Sequence, residues 1–274
     1  NSALSSIAAK RLKIPIFHME AGNRCFDENL PEETNRRIVD HISDVNLPYT
    51  EHARRYLLAE GVCKQHIYVT GSPMKEVINA HREEIDKSDV LSRLGLEKKK
   101  YIVLSAHREE NIDILQNFEK LVNSINQLAE TYNIPVIYSM HPRSEKYIKE
   151  RNVIFHNFVR PMPPFCFTEY SALMKNAFCV VSDSGTMPEE AAIGHFPAVC
   201  IRTSTERPEA LDKGDFVIGG IGENEVLQAV DMVTKMAGAG DFGAPDYEVD
   251  NVSSVVVRVI QSYTKIINET VWRK

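Results

Sequence analysis

The sequence predicts an α/β protein whose parallel sheets are divided between two domains. Short apolar runs rich in β-branched residues alternate with stretches of helical periodicity, the pattern of βαβ units. With 274 residues, 43% of them hydrophobic and 26% charged, the chain can bury one large core or two moderate ones. The charged segment 81–100 has no strand pattern and separates two sets of α/β units, which favours two domains.

The predicted strands and helices follow from these two periodicities. The strands are apolar runs such as IPIFHM near the start and DFVI near the end, and we expect them at 14–19, 45–49, 66–70, 101–106, 135–140, 152–155, 178–182, 197–202 and 215–218. The helices are the amphipathic stretches between them, at 2–12, 32–43, 51–60, 74–85, 113–131, 168–176, 187–194, 223–237 and 252–270.

The strand count differs between the two expected domains. About three strands precede the charged segment and about six follow it, whereas a doubly wound sheet needs about six. Asn1 also opens directly into an amphipathic stretch, so we expect the first domain to be incomplete, its beginning missing. The expected limits are 1–85 for the remainder of the first domain, 86–250 for the second, and 251–274 for a helix that packs back on the first.

Composition excludes several classes of protein. The net charge of −6 argues against nucleic-acid binding, which favours an excess of Lys and Arg. Five cysteines without a CxxC pair indicate neither a disulfide framework nor a zinc site. No apolar run approaches the ~20 residues that span a bilayer, and the first residues show no signal-peptide pattern. We therefore expect a cytoplasmic protein with no membrane partner.

The segment SDSGTMPEEA, residues 182–191, is a candidate anion site, because ligands of open parallel sheets bind beyond the carboxyl ends of the strands. Ser184, Gly185 and Thr186 lead into a helix, and the backbone N–H groups at such a helix start suit a diphosphate. Glu190, one turn into the helix, could accept hydrogen bonds from ribose hydroxyls. The alternative is an ordinary N-cap by Ser184 or Thr186.

The segment LSAHREEN, residues 104–111, places two basic side chains directly after a strand. His107 and Arg108 suit a phosphate or a leaving group, and a histidine changes charge near neutral pH. The alternative is an exposed loop in which they pair with Glu109 or Glu110.

Two carboxylates in HMEAGNRCFDENLPEETNRR, residues 18–37, are candidates for acid–base chemistry. Glu20 ends a strand and Glu32 begins the next helix, so a loop could bring both to one cleft, where their pKa values would be pushed apart. The alternative for Glu32 and Glu33 is a role in the first helical turn. Glu20 requires a partner if it is buried.

Further basic residues follow two other strands. Arg207, after PAVCI, could complete a phosphate or uridine site through its guanidinium fork, or pair with Glu206 or Glu209. His141, after VIYSM, has the same two interpretations.

The order and spacing of HMEAGNR, LPEETNRR, TGSP, SAHREEN, SDSGTMPEEA and TERPEA closely resemble the UDP-N-acetylglucosamine 2-epimerase family over residues 1–215. The resemblance implies the two-Rossmann-domain fold shared with many nucleotide-sugar glycosyltransferases (glycosyltransferase-B-like). It further implies a nucleotide on the second domain and sugar chemistry in the cleft between domains. Epimerisation in this family inverts carbon 2 by elimination and re-addition of UDP through a bound glycal, with no nicotinamide, metal or other cofactor.

The resemblance also implies roles for residues of this chain. Glu20 and Glu32 match the two catalytic glutamates, and His107 matches the catalytic histidine near the departing diphosphate. The remaining matches are to nucleotide-contacting residues, namely Ser184, Gly185, Thr186, Glu190 and Arg207, with Arg36, Arg108 and His141 as weaker candidates.

The chain departs from the family at its start. Members carry HGD-T with a catalytic aspartate shortly before the equivalent of Asn1, and that aspartate is absent here. Unless a companion chain supplies it, we expect UDP binding to survive better than turnover.

Two details resemble one branch of the family. The short spacing between the glutamates and SDSGT in place of SDSGG are typical of enzymes that make UDP-N-acetyl-L-fucosamine from a 6-deoxy-talose precursor for capsule or O-antigen. We favour this branch over the interconversion of UDP-GlcNAc and UDP-ManNAc, and expect a homodimer. The alternatives are a glycosyltransferase of the same fold and an inactive UDP-sugar-binding fragment.

Overall fold

The computed structural model describes residues 2–28, 30–238 and 243–274. The chain forms two compact units. Unit 1 comprises Asn1–Ile78, Ser204–Glu209 and Ala244–Lys274, and unit 2 comprises Asn79–Thr203 and Ala210–Gly243.

The described residues alternate between helices and short strands along most of the chain. The strands are β1 Phe17–Met19, β2 Val45–Leu47, β3 Ile102–Ser105, β4 Val136–Ser139, β5 Val159–Met162, β6 Cys179–Ser182, β7 Ala198–Cys200 and β8 Val217–Ile218. The α-helices are α1 Ser2–Arg11, α2 Pro31–Ile42, α3 Glu51–Ala59, α4 Met74–Ala80, α5 Arg82–Asp86, α6 Val90–Arg93, α7 Glu109–Ile112, α8 Leu115–Tyr132, α9 Pro142–Glu150, α10 Phe167–Asn176, α11 Met187–Gly194, α12 Pro208–Lys213, α13 Glu223–Lys235 and α14 Val252–Thr270.

Unit 1 is built around the parallel pair β1 and β2, in which Phe17 lies opposite Val45 and Met19 opposite Leu47. The buried side chains of β2 pack against Val252 and Ile267 of α14. The helix at the end of the chain therefore supplies core to a sheet that begins more than 200 residues earlier.

Unit 2 contains a six-stranded, all-parallel sheet in the order β5-β4-β3-β6-β7-β8. This is the strand order of a Rossmann sheet, in which the chain runs outward in one direction from the first strand and then outward in the other. The predicted α/β class with parallel sheets is confirmed. The direction reverses between β3 and β6, and the carboxyl ends of these two strands form the switch point where such sheets bind ligands.

Two predicted strands are wrong. Segment 66–70 forms only an isolated bridge between Asn46 and Ile67. Segment 152–155 is not a strand, and its Ile154 is 85% exposed; the strand of this region is β5, which begins at Val159. Its sequence VRPM contains an arginine and a proline. An edge strand tolerates both residues, but they interrupt the apolar pattern by which a strand is recognised in the sequence.

Some short helices were not predicted, chiefly α9 and α12. Helix α9 is polar along most of its length and begins with Pro142, so its sequence has little apolar periodicity. None of the helices within the described residues combines the length and apolarity needed to cross a bilayer.

Candidate functional site

The switch point of unit 2 is organised around Asp183, whose side chain is fully buried directly after β6. Its carboxylate accepts hydrogen bonds from the backbone N–H of His107 (2.9 and 3.1 Å) and of Arg108 (2.9 Å). It also accepts one from Nδ2 of Asn111 (3.1 Å) and lies 3.0 Å from Nδ1 of His107. The loop after β3 is thus fixed to the end of β6 by one carboxylate.

Asp183 is ionised in spite of its burial. Burial by itself raises the pKa of a carboxyl group, but the hydrogen bond from the His107 side chain, together with those from the backbone N–H groups of Arg108 and His107, holds the pKa of Asp183 below its usual value. A buried anion therefore lies beside the candidate histidine.

The sequence does not single out Asp183 or Asn111, although both are central to the observed geometry. The available signal is an aspartate directly after the apolar strand CVVS, since an acid in that position requires partners. Those partners come from 70 or more residues earlier in the chain, so local sequence does not reveal them.

His107 and Arg108 do lie together after β3, as predicted. The imidazole of His107 is 38% exposed and its ring centroid lies 5.8 Å from that of His141, after β4. His141 caps α9, since its Nδ1 accepts from the backbone N–H of Arg143 (3.2 Å). Arg143 in turn pairs with Glu109 at 2.6 Å. Two histidines and Arg108 thus face the carboxyl ends of adjacent strands.

The turn Ser184-Gly185-Thr186 enters α11 as predicted, with Pro188 in the first turn. Oγ of Ser184 lies 3.1 Å from Oγ1 of Thr186 and accepts from its backbone N–H at 3.4 Å. Thr186 occupies the N-cap position but makes no side-chain cap bond, so the capping interpretation does not hold for its hydroxyl.

Glu190 is drawn into this turn by a hydrogen bond from Thr186 Oγ1 to its Oε2 (3.4 Å). Burial and the neighbouring charge of Glu189 raise the pKa of Glu190 to about 7, although the bond from Thr186 opposes the shift. The Tyr170 hydroxyl, bonded to Ser105, lies near the same group, and its pKa is raised, chiefly by burial. Glu190 can therefore donate as well as accept a hydrogen bond near neutral pH.

In unit 1, Glu20 directly follows β1 with its carboxylate 43% exposed. Its Oε1 accepts from Nη2 of Arg207 (2.8 Å) and from Nδ2 of Asn23 (3.0 Å). The structure therefore brings Arg207, a predicted nucleotide ligand, to a predicted catalytic glutamate within the same unit. The backbone of Glu20 has a φ of +60°, a conformation that non-glycine residues adopt rarely and that concentrates at functional sites.

The loop that carries Glu20 is anchored by the buried Asp40 of α2. Its carboxylate accepts from the backbone N–H of Gly22 at 3.2 Å, lies 2.7 Å from Nη1 of Arg24, and lies 2.7 Å from Nδ1 of His18. Arg24, itself buried, makes a bidentate pair with Glu60. Asp40 is a third residue that the sequence does not single out, after Asp183 and Asn111.

Glu32 and Glu33 both lie in the first turn of α2, but their environments differ. Glu32 is exposed, whereas Glu33 is fully buried and accepts from the backbone N–H of Cys25 (3.1 Å). Arg36, on the same helix, donates to Glu206 at 3.2 Å. Glu33 thus acts in holding the loop, and Glu32 keeps a carboxylate accessible to a ligand.

The chemistry that these residues offer is anion binding in unit 2 and proton transfer by a carboxylate in unit 1. No group of three His, Cys, Asp or Glu side chains within the described part of the chain could hold a metal ion.

Comparisons with known proteins identify the family of the chain. The family model described as UDP-N-acetylglucosamine 2-epimerase matches residues 1–261. The UDP-N-acetylglucosamine 2-epimerase of Methanococcus maripaludis is 34% identical over 237 residues, which cover 84% of this chain and 65% of that protein. The chain thus spans slightly less than two thirds of the length of this relative.

Solved structures give the same result. The structure of the UDP-N-acetylglucosamine 2-epimerase from Rickettsia bellii superimposes with a TM-score of 0.91 and 45% identity. The alignment covers 100% of this chain and 74% of the R. bellii chain. The UDP-GlcNAc 2-epimerase of Methanocaldococcus jannaschii, solved with UDP-GlcNAc and UDP, matches 94% of this chain and 72% of its own, with 31% identity and a TM-score of 0.86. The chain therefore belongs to the UDP-N-acetylglucosamine 2-epimerase family.

Proposed function

We propose that this protein is a UDP-N-acetylhexosamine 2-epimerase, an isomerase that inverts carbon 2 by elimination and re-addition of UDP. The observation that carries the proposal is that one chain offers both an anion site at the switch point of unit 2, around Asp183 and His107, and a strained, partly exposed carboxylate, Glu20, in unit 1. The relative from M. jannaschii, which was solved with UDP-GlcNAc and UDP, supports the substrate class.

The proposed reaction balances without a cofactor. A base removes the proton on carbon 2, the C–H electrons form the carbon 1–carbon 2 double bond, and the bond from carbon 1 to oxygen breaks. UDP leaves with that electron pair, and the sugar becomes a glycal. UDP then adds back to carbon 1 while carbon 2 takes a proton on its opposite face, so no electron is gained or lost overall.

Each step has candidate residues in this chain. Glu20 and Glu32 are proposed for the acid and base work, which typically contributes ~100- to 10,000-fold to a rate. The imidazolium form of His107, a cation, would stabilise the negative charge of the departing diphosphate. The proposed nucleotide contacts are Ser184, Gly185, Thr186, Glu190 and Arg207, with Arg36, Arg108 and His141 as secondary contacts.

The ion pair between Arg207 and Glu20 bears on these roles. The Arg207 side chain is only 5% exposed and is paired with the Glu20 carboxylate, so a ligand that contacts Arg207 also lies next to Glu20. We propose that it binds the substrate and at the same time orients the carboxylate.

The finer substrate assignment is also a proposal. We favour the conversion of UDP-2-acetamido-2,6-dideoxy-L-talose to UDP-N-acetyl-L-fucosamine over that of UDP-GlcNAc to UDP-ManNAc, for surface polysaccharide synthesis, because of the short glutamate spacing and the SDSGT turn. A homodimer and a cytoplasmic location complete the proposal, the latter supported by five free thiols.

The test is incubation with each UDP-sugar in heavy water, followed by NMR of the hydrogen at carbon 2. An epimerase incorporates deuterium there and releases no net UDP. A glycosyltransferase of the same fold would leave that hydrogen unexchanged and release UDP only when an acceptor is added.

A UDP-sugar-binding piece without turnover is the second candidate, because the chain spans only 65% of the M. maripaludis relative. Calorimetry with UDP, run beside the exchange assay, separates the two. Tight UDP binding without deuterium incorporation or glycal would favour the second candidate, whereas exchange by this chain would exclude it.

A further inference from the structure

The pairing of Asp183 with His107 has a consequence for how a diphosphate binds. Since Asp183 is ionised and has no proton to give, the proton between its Oδ1 and Nδ1 of His107, 3.0 Å apart, belongs to the histidine. The carboxylate is held in place by three other donors, the backbone N–H groups of His107 and Arg108 and Nδ2 of Asn111. The tautomer and the orientation of the His107 ring are thereby fixed, and Nε2 is the nitrogen left for a ligand.

In the neutral ring that nitrogen carries a lone pair, and diphosphate oxygens also carry only lone pairs. A neutral His107 therefore cannot donate to the ligand through Nε2, whereas an imidazolium donates through both nitrogens at once. The imidazolium would then lie between two anions, the buried carboxylate and the diphosphate, each of which stabilises its charge.

We propose that Asp183 is a positioning residue that makes nucleotide binding proton-linked: UDP binds to this protein together with one proton, which is taken up at Nε2 of His107. This inference rests on the proposed function, because it assumes that UDP binds at the switch point. It adds that Asp183 acts through His107 and does not touch the ligand.

The other charged groups near His107 set the expected stoichiometry. Nδ1 of His141, after β4, already accepts the N–H of Arg143, which leaves Nε2 as the nitrogen of this ring that can donate to an anion. Arg108 is permanently charged. Tyr170 on α10, near Asp183, keeps its proton because burial raises its pKa, but the pKa of Glu190 on α11 is raised only to about 7, so this carboxyl group is partly ionised at the pH of the experiment and can also take up a proton. The proton that belongs to His107 is therefore the part of the uptake that is lost when His107 or Asp183 is substituted.

The experiment is calorimetry of UDP binding at about pH 7.5, in two buffers that differ widely in ionisation enthalpy. The terminal phosphate of UDP, with a pKa of about 6, is already ionised at that pH and contributes little. The dependence of the observed heat on the buffer gives the number of protons taken up. We expect more than about half a proton per UDP, and an affinity that falls by up to about tenfold per pH unit at higher pH.

Two variants assign that proton. Asp183→Asn and His107→Gln should each lower the uptake by more than about half a proton and weaken UDP binding by about tenfold, the loss typical of one charge-assisted hydrogen bond. The double variant should be no weaker than either single one, because both remove the same interaction. Asp231→Asn is the matched control: Asp231 pairs with Lys235 within α13, and its substitution should leave both the affinity and the uptake unchanged.

The outcomes separate this inference from the proposed function. Failure of the wild-type chain to bind UDP would remove both. UDP binding with equal heats in the two buffers, or proton uptake that is undiminished in Asp183→Asn, would overturn only the inference. If Asp183→Asn does not fold, ¹⁵N NMR of the ligand-free wild-type imidazoles decides, with the His107 signal identified from its loss in His107→Gln. A ring that carries its proton on Nε2 and not on Nδ1 would contradict the proposal.

Discussion

Glu20 shows how one residue can combine strain with function. Its φ of +60° is unfavourable for a side chain with a Cβ, by roughly 1–2 kcal/mol. Hydrogen bonds maintain this conformation. Arg207 and Asn23 donate to the Glu20 carboxylate, and the backbone N–H of Gly22, two residues further along the chain, donates to the carboxylate of Asp40. The surrounding structure thus holds an exposed carboxylate in one orientation, as a general base or acid requires.

The first prediction tests this residue directly. In the active protein, Glu20→Gln should reduce turnover by ~100- to 10,000-fold, because it removes a proton-transfer group but keeps the shape of the side chain. The affinity for UDP should change little, since Glu20 is proposed to act on the sugar and the glutamine side chain keeps an oxygen that accepts from Arg207, the proposed nucleotide contact beside it. Steady-state kinetics and UDP calorimetry measure the two effects. Glu28→Gln is the control, because Glu28 lies in the same loop and is 70% exposed; an unchanged rate in Glu20→Gln would remove Glu20 from the mechanism.

The second prediction concerns Glu190 and pH. Burial raises the pKa of Glu190 from 4.5 to about 7, so the folded chain binds more protons than the unfolded chain between these values, and stability declines as pH rises through that window. Glu190→Gln should remove this part of the decline. Urea unfolding of wild type and variant, at about pH 5 and about pH 8, measures it. The free energy of unfolding of the variant, relative to that of the wild type, should be higher at about pH 8 than at about pH 5. An equal difference between the two proteins at both pH values would contradict the assignment.

The candidate site residues that the sequence singles out share one feature. Glu20, His107 and Ser184 each follow a recognisable strand closely, and the carboxyl edge of a parallel sheet is where ligands bind. Asp183 and Asp40 could not be predicted in the same way. Their importance lies in the partners that the sheet and α2 bring to them, and no local pattern encodes those partners.

At the scale of elements, α2 departs from the usual design of an amphipathic helix. Its buried face carries carboxylates: Glu33 and Asp40 lie two turns apart, and both bind the loop that follows β1. Arg36, one turn from Glu33, reaches Glu206. The helix is recognisable from sequence, but an apolar pattern cannot show that its inner face binds a functional loop.

The third prediction tests how closely that loop packs on α3. Gly22 has a φ of +78°, and a Cβ there would lie 2.3 Å from the carbonyl oxygen of Ala53. Gly22→Ala should therefore lose about 1 kcal/mol to backbone strain and a further ~1–3 kcal/mol to overpacking. Gly61→Ala is the matched control: its φ is +83° but nothing lies within 4 Å of the added carbon, so only the strain remains.

Urea unfolding followed by circular dichroism measures both variants. The loss in Gly22→Ala should exceed that in Gly61→Ala by more than about 1 kcal/mol. Equal losses would mean that the loop moves away from α3 at little cost, and that Glu20 is held less firmly than the network around Asp40 indicates.

Elements with strong periodicity could be predicted and weak ones could not. Helices α2, α8 and α14 agree with the amphipathic pattern to within two residues. Strand β5 could not be predicted, because its edge position accepts Arg160 and Pro161, whereas the apolar Ile154 next to it lies at the surface.

At the scale of the whole molecule, each unit contains segments that are distant in sequence. Residues 204–209 and 244–274 belong with unit 1, although unit 2 occupies most of the chain between residues 79 and 243. The alternation of strands and helices predicts two sets of α/β units. It cannot predict that the short segment carrying Glu206 and Arg207 belongs to the first, because that depends on ion pairs to Arg36 and Glu20.

The last prediction uses this division of the chain. If unit 2 together with Arg207 binds the nucleotide and the rest of unit 1 acts on the sugar, UDP alone should slow hydrogen exchange in 105–111, 183–187 and 204–209, and a UDP-sugar should also slow it in 20–25. Ligand at about 100 times its Kd stabilises the bound form by about 2.7 kcal/mol, which would slow exchange by up to about 100-fold wherever opening requires release of the ligand. Exchange measured by mass spectrometry resolves these segments, with α8 as an internal control that carries none of the proposed contacts. Protection of 20–25 by UDP alone, as strong as that by the UDP-sugar, would contradict this assignment, because the nucleotide and not the sugar would then be recognised by the loop that carries Glu20.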